Sequence, residues 1–138
     1  MSTRRDEHGA ATTELVLLTP VLIVMLLFVV ALGRIASARQ DVDAAARDAA
    51  RAAANARSPV GARTDGRTAA EASLSGLGIT CASLTVAVDT GSFHAGGTVT
   101  ATVNCTVSLA DLTSLSVPAS RTITSTFSAP VDRYRGVS

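Results

Sequence analysis

Two pairs of residues in this chain are spaced for chemistry: a glycine and a glutamate near the start, and two cysteines near the end. Glu14 is the fifth residue after Gly9 and stands directly before Leu15 to Leu32, a run without a charged side chain. A run of that length and polarity can cross a bilayer as a helix. It puts Glu14 at the lip of the membrane, where a carboxylate is costly unless it has a partner. A polar leader, Met1 to His8, precedes it and carries Arg4, Arg5, Asp6 and Glu7. The simplest alternative is an ordinary single-pass anchor with Glu14 in the headgroup region. A secretory signal peptide fits less well, because the run is long for a signal's apolar region.

The cysteines, Cys81 and Cys105, both fall where the apolar pattern has a period of two. Pairing Val88 with Val99 and Val86 with Ala101 sets Leu84 against Val103. One extra residue at Ala82-Ser83 then brings Cys81 across from Cys105, as a β-bulge allows. A disulfide closing that loop would stabilise a small domain by about 3.5 kcal/mol in the chain-entropy model. Two buried free thiols are the alternative. A metal site is disfavoured, since two Cys and the single nearby His94 lack the paired close spacings of zinc ligands. Catalysis is not expected either. His8 and His94 fall on opposite sides of the membrane if the run crosses it, and no phosphate loop, nucleophile elbow or His-Glu-x-x-His motif occurs. Asp89, Asp111 and Asp132 read as solvated turn residues. No cofactor is expected.

The elements that must position these residues follow from periodicity. With 138 residues, net charge +1, no Trp and 3% aromatics, the chain offers neither a basic field nor stacking platforms for nucleic acid. Its twelve basic residues are all Arg and Ala is abundant, a composition typical of GC-rich bacterial genomes. Residues 1–9 form the leader and residues 10–57 a long helix, with the membrane segment at about 12–33. Beyond Gly33, Ile35, Ala38, Val42, Ala45, Ala49, Ala52 and Ala56 recur at spacings of three and four. Alanine is the best helix former, which explains such a stripe in part. Small side chains also let another backbone approach closely, as packed helical arrays require. Arg39, Asp43 and Arg47 form i,i+4 pairs on a different face.

Helix should stop before Ser58-Pro59, because Pro disfavours helix in the residue ahead of it. Residues 58–78 read as a linker and a short helix, opened by a capping box at Thr68 and Glu71 and closed by Gly76 and Gly78. Residues 79–138 read as a small β domain. Leu84, Val86 and Val88 mark one strand, and Thr98 to Leu109 alternates between an apolar face and a threonine-rich face. Thr90 to Gly97 is the hairpin loop, Arg121 to Ser128 a third strand, and Asp111 to Leu115 a helical turn between strands. The fold class is α+β, a long N-terminal helix followed by a small antiparallel sheet. Orientation is contested. Arg34, Arg39, Arg47 and Arg51 outnumber Arg4 and Arg5, so a positive-inside count places the C-terminal part in the cytoplasm. A disulfide and threonine-rich strands favour the opposite side.

From Gly9 to Ala54 the residues resemble one family. Gly9-Ala10-Ala11-Thr12-Thr13-Glu14, the aliphatic stretch, Pro20 and the following leucines look like the start of TadE-like proteins, the pseudopilins of tight-adherence pilus systems. Ala45-Ala46-Arg47-Asp48-Ala49-Ala50-Arg51-Ala52 is similar to the family's post-membrane segment. The resemblance implies cleavage between Gly9 and Ala10 by a prepilin peptidase, and a type IV pilin-like fold. It further implies a cytoplasmic N-terminus with the C-terminal domain outside the cytoplasmic membrane, and other pilus subunits, major and minor, as partners. It also implies that the Ala10 amine of one subunit meets Glu14 of a neighbour. The competing function is an unprocessed single-pass protein that presents a small extracellular binding domain.

Overall fold

The computed structural model describes residues 7–108 and 119–134, with side chains from Glu14 onward. The start of the leader, the expected turn at Asp111–Leu115 and the end of the second strand at Leu109 lie outside the described residues. The chain forms two compact units, residues 1–34 and 35–138. Helix α1, Glu7–Asn55, begins in the first and continues into the second.

In the first unit α1 is built from aliphatic residues, Met25 and Phe28, and its large apolar side chains are exposed. From Leu15 to Leu32 its large apolar side chains are exposed, from Val30 at 48% to Leu17 at 70%. Pro20 lies inside this helix and has no N–H to give to the Val16 carbonyl. One residue earlier, the Thr19 hydroxyl donates to the Leu15 carbonyl at 2.7 Å. Such back-bonding satisfies a hydroxyl where no water reaches.

The second unit packs the later part of α1 and a second helix, α2 (Pro59–Gly76), with a three-stranded antiparallel sheet. Its strands are β1 (Ser83–Ser92), β2 (Thr98–Ser108) and β3 (Ser120–Pro130), in the order β1-β2-β3. The expected alternation of β2 is what the structure shows. Val99, Ala101, Val103, Cys105 and Val107 are buried, and the threonines between them face outward. On that outer face four rungs of β2 and β3 are tied by side-chain hydrogen bonds: Thr100 with Ser128, Thr102 with Thr126, Thr124 to Asn104, and Thr106 with Thr122. The core is made of small side chains. The largest fully buried ones are Val42, Val99, Val103, Val131 and Cys105, so helices and sheet approach closely but each residue contributes little apolar area.

Three details depart from the sequence reading. First, α2 starts at Pro59 rather than at Thr68. α1 does end before Ser58-Pro59, at Asn55, but the fixed φ and missing N–H of Pro59 suit the first position of a helix. Ser58 caps that helix, its hydroxyl accepting from the Gly61 N–H at 3.1 Å. Thr68 and Glu71 are therefore interior to α2, and Glu71 takes the Arg67 guanidinium at 2.8 Å instead of capping. The predicted closure does occur. Gly78 adopts φ +73° and donates to the Ser75 carbonyl while Ile79 donates to Leu74, the pattern of a Schellman motif.

Second, the hairpin register is shifted by two residues. Val88 faces Ala101, Val86 faces Val103 and Leu84 faces Cys105. The irregularity lies at the other end of β1, between Asp89 and Ser92, not at Ala82-Ser83. There the Asp89 carboxylate accepts from the Gly91 N–H at 2.8 Å, which turns the strand locally. A shift of two keeps every side chain on its expected face, so alternation alone could not detect it. Third, β1 extends to Ser92, so the loop is shorter than Thr90 to Gly97.

Candidate functional site

At the N-terminal end, α1 runs unbroken through Gly9 and Ala10 to Glu14. The Glu14 side chain is exposed, and among the described residues no ion pair or hydrogen bond involves it. The adjoining apolar surface is likewise uncovered. Glu14 to Asn55 contains a segment long and apolar enough to cross a membrane. A carboxylate beside such a surface is costly without a countercharge, and the chain supplies none among its described residues.

The predicted stripe has a different destination. Ala38, Val42, Ala45 and Ala49 are buried inside the second unit, together with Ala46, Ala50 and Ala53, while Ala52 lies at the border and is half-buried. Close approach is used within the chain rather than reserved for another copy. The tightest point is Gly66 of α2, where an added Cβ would meet Val88 Cγ2 at 2.9 Å, the Ala49 carbonyl oxygen at 3.2 Å and Ala53 Cβ at 3.4 Å. The Ser73 hydroxyl also donates to Asp48 at 2.9 Å, joining α2 to α1. Arg47 lies over the Phe127 ring at 5.8 Å, joining α1 to β3. Such a cation–π contact at an exposed place contributes about 0.5–1 kcal/mol. The role of Gly66 was missed in the sequence, where Gly61 and Gly66 read as linker residues. The available signal was its place among Ala62, Gly66, Ala70 and Leu74, one small or apolar residue at every fourth position.

Cys81 and Cys105 form a disulfide, with their Cα atoms 5.4 Å apart and a sequence separation of 24. Cys81 does not belong to β1. It lies just ahead of the strand, where the Ala82 N–H donates to the Thr106 carbonyl at 2.7 Å and holds the incoming chain against β2. The bond thus joins the exit of α2 to the buried face of β2. Cys105 is fully buried, so the bridge belongs to the core.

His94 is exposed in the hairpin turn, with its Nδ1 3.3 Å from the Ala95 carbonyl oxygen. Among the described residues no three His, Cys, Asp or Glu side chains gather as metal ligands would.

The fold and these features define an α+β protein that carries one helix able to cross a membrane and a disulfide-stapled sheet. Residues 9–51 match the family model described as TadE-like protein, the family that the N-terminal residues resemble, so the chain is TadE-like over that segment. Members of that family are structural proteins of tight-adherence pilus systems rather than enzymes. The match ends before α2 and the sheet. No curated protein and no solved structure matches the chain.

Proposed function

We propose that the protein is a membrane-inserted minor pilin or pseudopilin that takes part in assembling a tight-adherence pilus, after cleavage by a prepilin peptidase between Gly9 and Ala10. The carrying observation is the exposed Glu14, without an ion-pair partner among the described residues, at the start of an exposed apolar helix, five residues after Gly9, within the segment that matches TadE-like proteins. Cleavage would free the Ala10 amine, and a neighbour's ammonium is the countercharge that Glu14 lacks. Gly9 also suits the cut. A peptidase needs extended backbone, and glycine gives up helix more readily than Ala by about 1 kcal/mol.

In this reading the N-terminus faces the cytoplasm and the folded unit lies outside it. The disulfide supports that side, because oxidising compartments are where such bonds persist. A folded unit with its own sheet and staple exceeds what a helix-only filament subunit needs, which favours a minor, tip or initiating role over that of the major pilin. Intact-mass analysis of membrane-extracted protein tests the reading. Loss of residues 1–9 is expected where the peptidase is present, and Gly9→Arg should abolish it. A mature chain that still begins at Met1 would instead support an unprocessed single-pass protein with an outer binding domain.

A further inference from the structure

Arg39 and Arg121 stand far apart in the sequence, one on α1 and one near the start of β3. They nevertheless line one open cavity of about 380 Å³, which lies wholly within residues 35–138. Asp43, Thr122, Ile123 and Thr124 complete its wall. Both arginines are exposed, and neither forms an ion pair among the described residues, where Arg67 and Glu71 make the pair observed. Asp43, one turn along α1 from Arg39, is also without an ion-pair partner among the described residues. The wall therefore carries two positive charges and one negative, a net +1. The hydroxyls of Thr122 and Thr124 are bonded to Thr106 and Asn104 of β2, so the guanidiniums are the cavity's free charged donors. Two planar donor forks around an open space suit the oxygens of a phosphate group.

The position of Arg39 indicates where that phosphate comes from. It follows Leu32, the end of the apolar run, by seven residues in the sequence, so it belongs to the stretch that leaves the membrane segment. The polar region of each bilayer leaflet begins where the apolar run ends and is about 5–8 Å deep, and an arginine's long stem lets its charged head settle there. The geometry points to a binding site for the phosphate of an anionic phospholipid headgroup, in the leaflet that faces the folded unit, with Arg39 and Arg121 as its ligands. The net charge of +1 matches a single phosphodiester. Such a site also gives a physical reason for arginine beyond the span on the side where a positive-inside count would not place it. The inference needs α1 to span the membrane but does not rest on leader cleavage or pilus assembly, so its failure would leave the proposed function standing.

The test uses the full chain in nonionic detergent micelles, titrated with phosphatidylglycerol or phosphatidylcholine and followed by native mass spectrometry. Preferential retention of phosphatidylglycerol is expected. Arg39→Gln with Arg121→Gln should weaken it about thirtyfold, which is about 2 kcal/mol at the usual 1 kcal/mol for each arginine beside anionic lipid. Arg51→Gln with Arg57→Gln removes the same charge away from the cavity and should change retention by about twofold or less, because distant exposed charges are screened. If circular dichroism shows that the double variant is unfolded, Arg39→Gln alone is read instead, since its exposed side chain supports no core contact. Equal weakening in the two double variants would overturn the site, as would equal retention of the two lipids. Displacement of the lipid by excess inorganic phosphate would reassign it to free phosphate.

Discussion

Replacing Gly66 by alanine separates two effects of opposite sign. In an open helix the change stabilises by about 0.4–1 kcal/mol, because alanine restricts the unfolded chain. Gly66 is not in the open. Its added Cβ would meet Val88 Cγ2 at 2.9 Å and the Ala49 carbonyl oxygen at 3.2 Å. Valine is stiff about χ1 on a strand, and a carbonyl inside a helix moves only with the helix. Overpacking of this kind costs about 1–3 kcal/mol, so the net expectation is a loss of about 1–2 kcal/mol. For a unit of this size that lowers the melting temperature by about 5–10 °C. Gly76 is the internal control, since an added Cβ there has nothing within 4 Å. Gly76→Ala should leave the melting temperature unchanged or raise it slightly. Thermal unfolding of both variants in the same detergent, disulfide intact, followed by far-UV circular dichroism, makes the comparison. If Gly66→Ala melts at or above the unsubstituted protein, α1, α2 and β1 do not meet at Gly66, and the reading of the alanine stripe as an internal seam is wrong.

Other outcomes follow from the remaining features. Cys81 and Cys105 should resist maleimide in freshly isolated membranes and label only after reduction, and full labelling without reductant would remove the support for an outer location. Cys81→Ser with Cys105→Ser should destabilise by about 3.5 kcal/mol, read as a lower urea midpoint, because the loop is freed in the unfolded chain. Glu14→Gln should leave insertion and leader cleavage intact but impair co-isolation with other pilus subunits, since breaking a desolvated charge pair costs about 3–5 kcal/mol. Normal co-isolation and piliation in that variant would favour a plain anchor.

What could be read along the chain were the features that depend on neighbours close in sequence. The uncharged stretch before Gly33, the helix that outlasts it and the alternation of Val99 to Val107 each follow from side-chain type at a fixed local period. The family match over residues 9–51 lies in that same legible part. The cysteine pairing was also foreseen, although by a register that is two residues off and a bulge placed at the wrong end of β1. The remainder depended on what each face meets in space. Alternation has period two and cannot distinguish registers that differ by two, so the Asp89–Gly91 turn chose between them. Two glycines and a proline made residues 59–67 look like a linker. They are helix because Ser58 caps a helix that Pro59 opens, and glycine stands at position 66 because the close approach of Ala49, Ala53 and Val88 leaves no room for a Cβ. The stripe from Ala38 to Ala52 declared that something would approach closely. That its partner is the chain's own α2 and sheet, and that Arg121 comes to line the same cavity as Arg39, are facts of long-range packing, which no local period encodes.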